Sequence, residues 1–384
     1  MARFTIPREV YFGQGTVDEL KNLNGSKAAI VIGGESVKNN GSLEKVEANL
    51  REAGMETVLI DKVEADPSVK TVMRGVETMN QFQPDWIVGL GGGSPMDAAK
   101  AMWIFYEYPE FTFEEAAKPF NLPELRKKAR YAAIPTTSGT GSEVTSFAVI
   151  TDNETGIKYP IADFNITPDI AIVDTDMAQS MPGKLIANTG MDALTHALEA
   201  YVSTMSNELT DSLAMKSIEM IEEYLLESFN GNEDARAKMH ISQCLAGMSF
   251  SNAILGIVHS MAHKTGKIFD IPHGCANAIY LPFAIQFNAE TAGAKYADVA
   301  RRLGMEGSSE KELVESLIKF VRDLNESMNI PATLKDFGLS EDKFLANLDD
   351  ISQNAVADPC TGTNPREISV EQMKELFKTA YYGV

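Results

Sequence analysis

Asp85-Trp86-Ile87-Val88-Gly89-Leu90-Gly91-Gly92-Gly93-Ser94-Pro95-Met96-Asp97-Ala98-Ala99-Lys100 decides how this chain folds. A short apolar run without alternation reads as a strand covered on both faces, the situation in a parallel sheet. Glycines break it, and a helix follows at once. Ser94 stands where an N-cap is expected, Pro95 at the first helical position and Asp97 as the capping-box acid. The glycines let backbone approach a ligand closely, and a helix N-terminus attracts phosphate. The run is not G-x-G-x-x-G, and a carboxylate at that end repels a pyrophosphate. Asp97 is therefore assigned to the cap, or to hydroxyl or amide groups of a cofactor.

Upstream, Lys27 to Ile32 and Thr57 to Ile60 read as further buried strands, with helices from about Ser42 to Ala53 and Ser68 to Phe82. Phe4 to Phe12 reads as extended, and Pro7 makes it an edge or terminal strand. Downstream, strand Tyr131 to Ile134 runs into Pro135-Thr136-Thr137-Ser138-Gly139-Thr140-Gly141-Ser142-Glu143, whose hydroxyls and backbone N–H groups suit phosphate or ribose. Val144 to Thr151 and Ile170 to Val173 read as strands, and Lys158 between them is a candidate cofactor cation. Strands alternating with helices predict a doubly wound, mostly parallel α/β sheet that binds ligands at its carboxyl edge. Past Pro182 the spacing turns helical, as at Ala214, Ile218, Ile221 and Leu225. The expectation is an α/β domain over residues 1–182 that binds a dinucleotide, then an all-α domain over residues 183–384 that binds metal.

The 384 residues carry a net charge of −20, which speaks against nucleic acid and anionic membranes as partners. Cys244, Cys275 and Cys360 are odd in number and widely spaced, as expected of free thiols in a reducing compartment. The N-terminus lacks an apolar secretory core, and no uninterrupted apolar run approaches membrane-spanning length. These features predict a cytoplasmic protein.

The helical half holds the metal candidates. Asp192 and His196 are four apart, as are His259 and His263, so each pair shares a helix face. His273 follows in a Pro-His-Gly setting, where a loop can aim its ring. A single Asp-x-x-x-His is more often a hydrogen-bonded core pair. Two such pairs with a fifth candidate nearby, on largely apolar helices, favour a first-row divalent metal.

The motifs together resemble the iron-dependent (group III) alcohol dehydrogenases, butanol dehydrogenase type, over essentially the whole chain. The resemblance rests on Gly91 to Asp97, Pro135 to Glu143, Gly190-Met191-Asp192-Ala193-Leu194-Thr195-His196, His259 to His263, Ile271-Pro272-His273-Gly274 and Cys360 to Arg366. It implies Asp192, His196, His259 and His273 as ligands of Fe²⁺, with Zn²⁺ the alternative. It implies His263 near the nicotinamide as a proton relay. Cofactor contacts are implied at Gly91, Gly92, Gly93, Ser94, Asp97, Thr136, Thr137, Thr140 and Lys158, and a substrate pocket at Phe147, Phe250 and Cys360. After the first strand, the resemblance places Gly34, Glu35 and Ser36 at the adenosine ribose. NAD-preferring members tend to carry Asp where Gly34 stands here, so NADP is expected and NAD left open, with Glu35 opposing a 2′-phosphate. The implied activity is hydride transfer between NAD(P)(H) and a small-molecule primary alcohol or aldehyde such as butanol or butanal. A homodimer is expected, with the terminal strand able to pair across it. A metal-dependent lyase or hydrolase on the same scaffold, or a non-catalytic nucleotide-binding module, are the alternatives.

Overall fold

The computed structural model describes residues 3–154 and 158–383. The chain divides into two compact units, Met1–Met181 and Pro182–Val384.

The first unit is built on six parallel strands: β1 (Glu9–Gly13), β2 (Lys27–Ile32), β3 (Glu56–Ile60), β4 (Trp86–Gly91), β5 (Arg130–Pro135) and β8 (Ile170–Asp174). Their order is β1-β8-β5-β4-β2-β3. The pleat explains why the strand sequences show no apolar–polar alternation: both faces meet helices. Ala29, Val31, Ile87, Tyr131 and Ala133 pack on one side with Val72, Val76 and Met79 of helix Val69–Phe82. Their neighbours Ala28, Ile30, Ile32, Val88, Leu90, Ala132 and Ile134 pack on the other with Val46 and Leu50 of helix Ser42–Glu52. From β2 the chain crosses to β3 on one side and then to β4 on the other. The order therefore reverses between β2 and β4, and ligands of doubly wound sheets bind outside the carboxyl ends of the strands at such a reversal.

The structure differs from the sequence reading in several places. The first strand begins at Glu9, not Phe4, because β8 offers partners only from Ile170 onward, opposite Glu9. The stretch from Val144 to Thr151 is strand only from Phe147: β6 (Phe147–Thr151) pairs antiparallel with β7 (Lys158–Ala162) as a separate hairpin. The helix after β4 runs Gly93–Glu107, with Gly92 at the N-cap and no side-chain cap. Ser94 and Asp97 thus do not cap it.

The second unit is helical throughout its described residues. Helix Gly183–Val202 is its axis: every residue from Gly190 to Val202 is buried. Helices Glu208–Phe229, Glu233–Ala253, Ile257–Phe269 and His273–Arg302 follow. The second and third of these meet at a bend of 105°. The bend passes through Ile254 at φ +62°, a conformation that costs a β-branched residue strain. No single helix among the described residues is long and apolar enough to cross a membrane.

Candidate active site

At the reversal between β2 and β4 the two glycine-containing turns lie side by side. Gly91 has φ +146°, and a Cβ there would come within 2.6 Å of the Pro95 ring, so only glycine fits. The 136–140 loop packs on this turn: the Thr136 N–H donates to Gly91 O at 2.8 Å. A Cβ on Gly93 would meet Thr140 at 3.2 Å, and one on Gly92 would meet Thr137 at 3.4 Å. Gly91, Gly92, Gly93, Ser94, Thr136, Thr137 and Thr140 are thereby gathered at one strand edge, with Gly34, Glu35 and Ser36 following neighbouring β2.

Both oxygens of the Asp97 carboxylate are engaged within the protein. Ser142 Oγ donates to its Oδ1 at 2.8 Å, and the Val149 N–H to its Oδ2 at 3.0 Å. One turn on, fully buried Lys100 donates to the carbonyl oxygens of Ser142, Thr145 and Phe147 at 2.7–2.9 Å. Burial pushes the Lys100 ammonium down to about 8, against the pull of Asp97 and Glu143. The pair fastens the 142–149 segment to the helix that opens at Gly93. Glu35 is 65% exposed along its side chain and pairs with Lys38 at 3.0 Å; Lys38 also meets Asp61 at 2.9 Å. Lys158 opens β7, and its side chain lies outside the described residues. Phe147 is the first residue of β6.

In the second unit three helices converge. Helix Gly183–Val202 carries Asp192 and His196 one turn apart, and helix Ile257–Phe269 carries His259 and His263. His273 does not sit in a loop. It is the first residue of helix His273–Arg302, behind Pro272 at the N-cap. Gly274 lets that helix approach: a Cβ there would lie 2.1 Å from the backbone oxygen of Asn188. Donor atoms of Asp192, His196 and His259, all buried, lie within 4.8 Å of one another. Asp192 Oδ1 is 3.7 Å from His259 Nε2 and 3.6 Å from His273 Nε2. His273 is the exposed member, at 45% of its side chain. The Phe250 ring stacks on His196, centroids 4.3 Å apart.

Electrostatics holds this group together. Burial raises the cost of ionising Asp192, yet the charges of His196 and His273 and the bond with His259 keep its carboxyl well below the usual range. Glu199 Oε2 lies 2.6 Å from His259 Nδ1. Burial disfavours the charged imidazole, but Asp192 and Glu199 together push His259 up to about 9. With Nδ1 committed to Glu199, Nε2 is the nitrogen turned toward Asp192. The set fits a divalent first-row cation: one carboxylate, three imidazoles, and a carboxylate behind one imidazole that fixes its tautomer.

A second group stands beside it. His263 Nδ1 is 3.1 Å from Asp358 Oδ2, and the Cys360 N–H donates to Asp358 Oδ1 at 3.0 Å. Donor atoms of His263, Asp358 and Cys360 also lie within 4.8 Å of one another. Here, however, the Lys264 ammonium is already 2.7 Å from Asp358 and supplies the positive charge. Burial opposes ionisation of Asp358, but His263 and Lys264 outweigh it and hold the carboxyl well below the usual range.

The profile of iron-containing alcohol dehydrogenases matches residues 7–175, and that of the Fe-containing alcohol dehydrogenase C-terminal domain matches residues 186–381. The chain belongs to the iron-containing alcohol dehydrogenases. Within the family it is 58% identical to an NADPH-dependent butanol dehydrogenase of Clostridium saccharobutylicum, covering 100% of this chain and 99% of that one. It is 41% identical to the bifunctional aldehyde-alcohol dehydrogenase of Escherichia coli, covering 98% of this chain and 46% of that longer protein. An iron-containing alcohol dehydrogenase structure from Thermococcus thioreducens superposes with a TM-score of 0.92 at 34% identity, over 100% of both chains.

Several residues of this alcohol dehydrogenase site escaped the sequence reading. Glu199, Asn277, Lys100 and Asp358 are buried polar groups that touch proposed site residues or their loops. For three of them a signal existed. Glu199 lies three residues past His196, Asn277 four past His273 and Lys100 three past Asp97, the spacings that stack side chains along a helix.

Proposed function

We propose that this iron-containing alcohol dehydrogenase reduces short- to medium-chain aldehydes such as butanal, and oxidises the matching primary alcohols, with NADP(H) as hydride carrier and Fe²⁺ as metal. The reading assigns nucleotide binding to residues 1–182 and metal binding to residues 183–384. The observation that carries it is the convergence of Asp192, His196, His259 and His273, with Glu199 fixing His259. Similarity to an NADPH-dependent butanol dehydrogenase supports the cofactor and the substrate class.

When bound, the cation acts as a Lewis acid toward the alcohol or carbonyl oxygen, and the nicotinamide carries the hydride. The chain's own residues hold and orient these groups. Asp192, His196, His259 and His273 hold the metal. Phe250 covers the His196 ring and gives the site an apolar wall; Cys360 is assigned to the substrate pocket with it. Asp358 keeps Nδ1 of His263 engaged, so Nε2 is the nitrogen that passes a proton. Gly34 leaves room for a 2′-phosphate, since no side chain there claims the ribose hydroxyls.

The reading extends to a cytoplasmic homodimer. β1 is one of the two edge strands of the sheet, and Phe12 on it is 63% exposed. Such an edge invites pairing; sedimentation of the purified protein tests this. The three cysteines are free thiols.

The experiment for the activity follows nicotinamide absorbance with butanal, comparing NADPH and NADH on protein loaded separately with Fe²⁺ and Zn²⁺. Faster turnover with NADPH and Fe²⁺, lost on chelation, is expected. If metal-loaded protein oxidises neither nicotinamide with any aldehyde of two to eight or so carbons, the proposal fails.

A further inference from the structure

We propose that Asn277 is a positioning residue for the metal, its side-chain amide gathering Asp192, His259 and His273 from three helices. The inference rests on the ligand assignment above. Asn277 is fully buried, one turn beyond His273 on the same face of helix His273–Arg302. Its Nδ2 lies 2.7 Å from Asp192 Oδ1, 3.1 Å from His259 Nε2 and 3.2 Å from His273 Nε2. One nitrogen thus reaches a residue of helix Gly183–Val202, one of helix Ile257–Phe269 and one of its own helix.

The bland alternative is a core asparagine that merely satisfies itself. Such a residue would turn its carbonyl to a donor, because buried polar atoms are almost always paired. Here the opposite holds: Asn277 Oδ1 is buried and has no hydrogen-bond partner. The fold leaves that oxygen unsatisfied and spends the amide on the ligand atoms.

The arithmetic of donors and acceptors says which contact lasts. A side-chain amide has two N–H protons, and three acceptors face it. Each imidazole Nε2 offers a single lone pair, the one a cation needs. Asp192, with two oxygens and about four lone-pair sites, can ligate and still accept a hydrogen bond. The durable bond is therefore Asn277 to Asp192, and the amide body stands as a stop beside the His259 and His273 rings. Its effect is to fix the rotamer of the only carboxylate in the set, which decides how closely three imidazoles and one oxygen can surround an ion. Groups that hold a ligand in this way typically change metal affinity by about 10–100-fold when removed.

The test uses Co²⁺ as probe, on the full chain, with N277L and N277D beside wild type. N277L keeps the branching pattern, in a somewhat larger side chain, and removes the donor. N277D keeps the shape and turns the donor into a second carboxylate facing Asp192. The readouts are the dissociation constant for Co²⁺, the visible absorption of the bound ion and the melting temperature with and without it. N277L is expected to bind Co²⁺ about 10–100-fold more weakly, with an altered visible band. N277D, which also covers the case of N277L failing to fold, is expected to alter the band and the Co²⁺-induced rise in melting temperature. Wild-type affinity and an unchanged band in a folded variant overturn the proposal. Failure of wild type itself to bind Co²⁺ or Fe²⁺ instead removes the ligand assignment on which it rests.

Discussion

Glu199 Oε2 lies 2.6 Å from His259 Nδ1, and the other oxygen of the same carboxylate accepts the Val258 N–H at 2.7 Å. Both acceptors are used, so Glu199→Gln cannot reproduce the arrangement: its amide group must face one donor with another. We expect the variant to fold but to hold Fe²⁺ or Zn²⁺ about 10–100-fold more weakly, with a matching loss of turnover at limiting metal. Competition against a chelator measures the affinity. Wild-type affinity would mean that His259 is oriented by packing alone.

Asp192→Ala and His273→Ala should each abolish turnover by removing a metal ligand. The two should differ in stability, because Asp192 is buried among histidines whereas His273 is about half exposed. Metal analysis of the purified variants decides the point. Full metal content with normal activity in either one would withdraw that residue from the ligand set.

His263→Ala should retain metal yet turn over more slowly. Its Nδ1 is engaged by Asp358, and the proposed ligand set is complete without it. Loss of a general acid–base group typically costs about 10²–10⁴ in rate. A purified variant that has lost its metal would make His263 a ligand instead.

Cofactor choice should respond to Glu35 and Lys38 together. Glu35 is exposed and pairs with Lys38, so its charge is partly balanced already. Glu35→Gly should raise the NADPH-to-NADH ratio of kcat/KM several-fold by freeing Lys38 for the 2′-phosphate, and the gain should shrink with salt. Lys38→Ala should lower the ratio, and Gly34→Asp should shift it toward NADH. Ratios measured at low and high salt check all three; an unmoved ratio in Glu35→Gly puts this carboxylate outside cofactor recognition.

Lys100 gives a pH signature. Its ammonium falls from an ordinary 10.5 to about 8 because burial disfavours the charged form. Between these values the unfolded chain binds the proton and the folded chain does not. Stability from this group therefore rises as pH climbs from about 8 toward 10.5. A shift of this size corresponds to about 3 kcal/mol. Denaturant unfolding of wild type and Lys100→Met at pH 7.5 and 9.5 should show wild type gaining on the variant at the higher pH. A constant difference would mean that Lys100 keeps its charge throughout.

The parallel sheet was legible because its strands are covered on both faces and so lack alternation, which leaves β2, β4 and β5 as bare apolar runs between glycines and helices. The hairpin strand β7 was not: Lys158-Tyr159-Pro160-Ile161-Ala162 is short and contains a proline. Asp97 looked like a capping acid because it stands three residues past Ser94, but the helix starts at Gly93, which turns the carboxylate toward Ser142 and Val149. Pro272-His273-Gly274 looked like a loop because proline and glycine punctuate loops. Here the proline precedes a helix, and the glycine answers a contact with Asn188 that only tertiary structure reveals. Glu199 and Asn277 were hidden for a related reason. Glu199 meets Val258 and His259, and Asn277 meets Asp192 and His259, on other helices; spacing along one helix marks the face they share with His196 and His273 but not what stands opposite.

Asp192, His196, His259 and His273, with Glu199 and Asn277 behind them, all come from the helices of Pro182–Val384, whereas Gly34, Glu35, Lys38 and the glycine turn come from Met1–Met181. On the proposed assignment, the choice of cation and the choice of electron carrier are thus written in separate halves of the chain. On that assignment, substitutions in the first half alone would change the reductant this enzyme draws on, leaving the coordination chemistry of the second untouched.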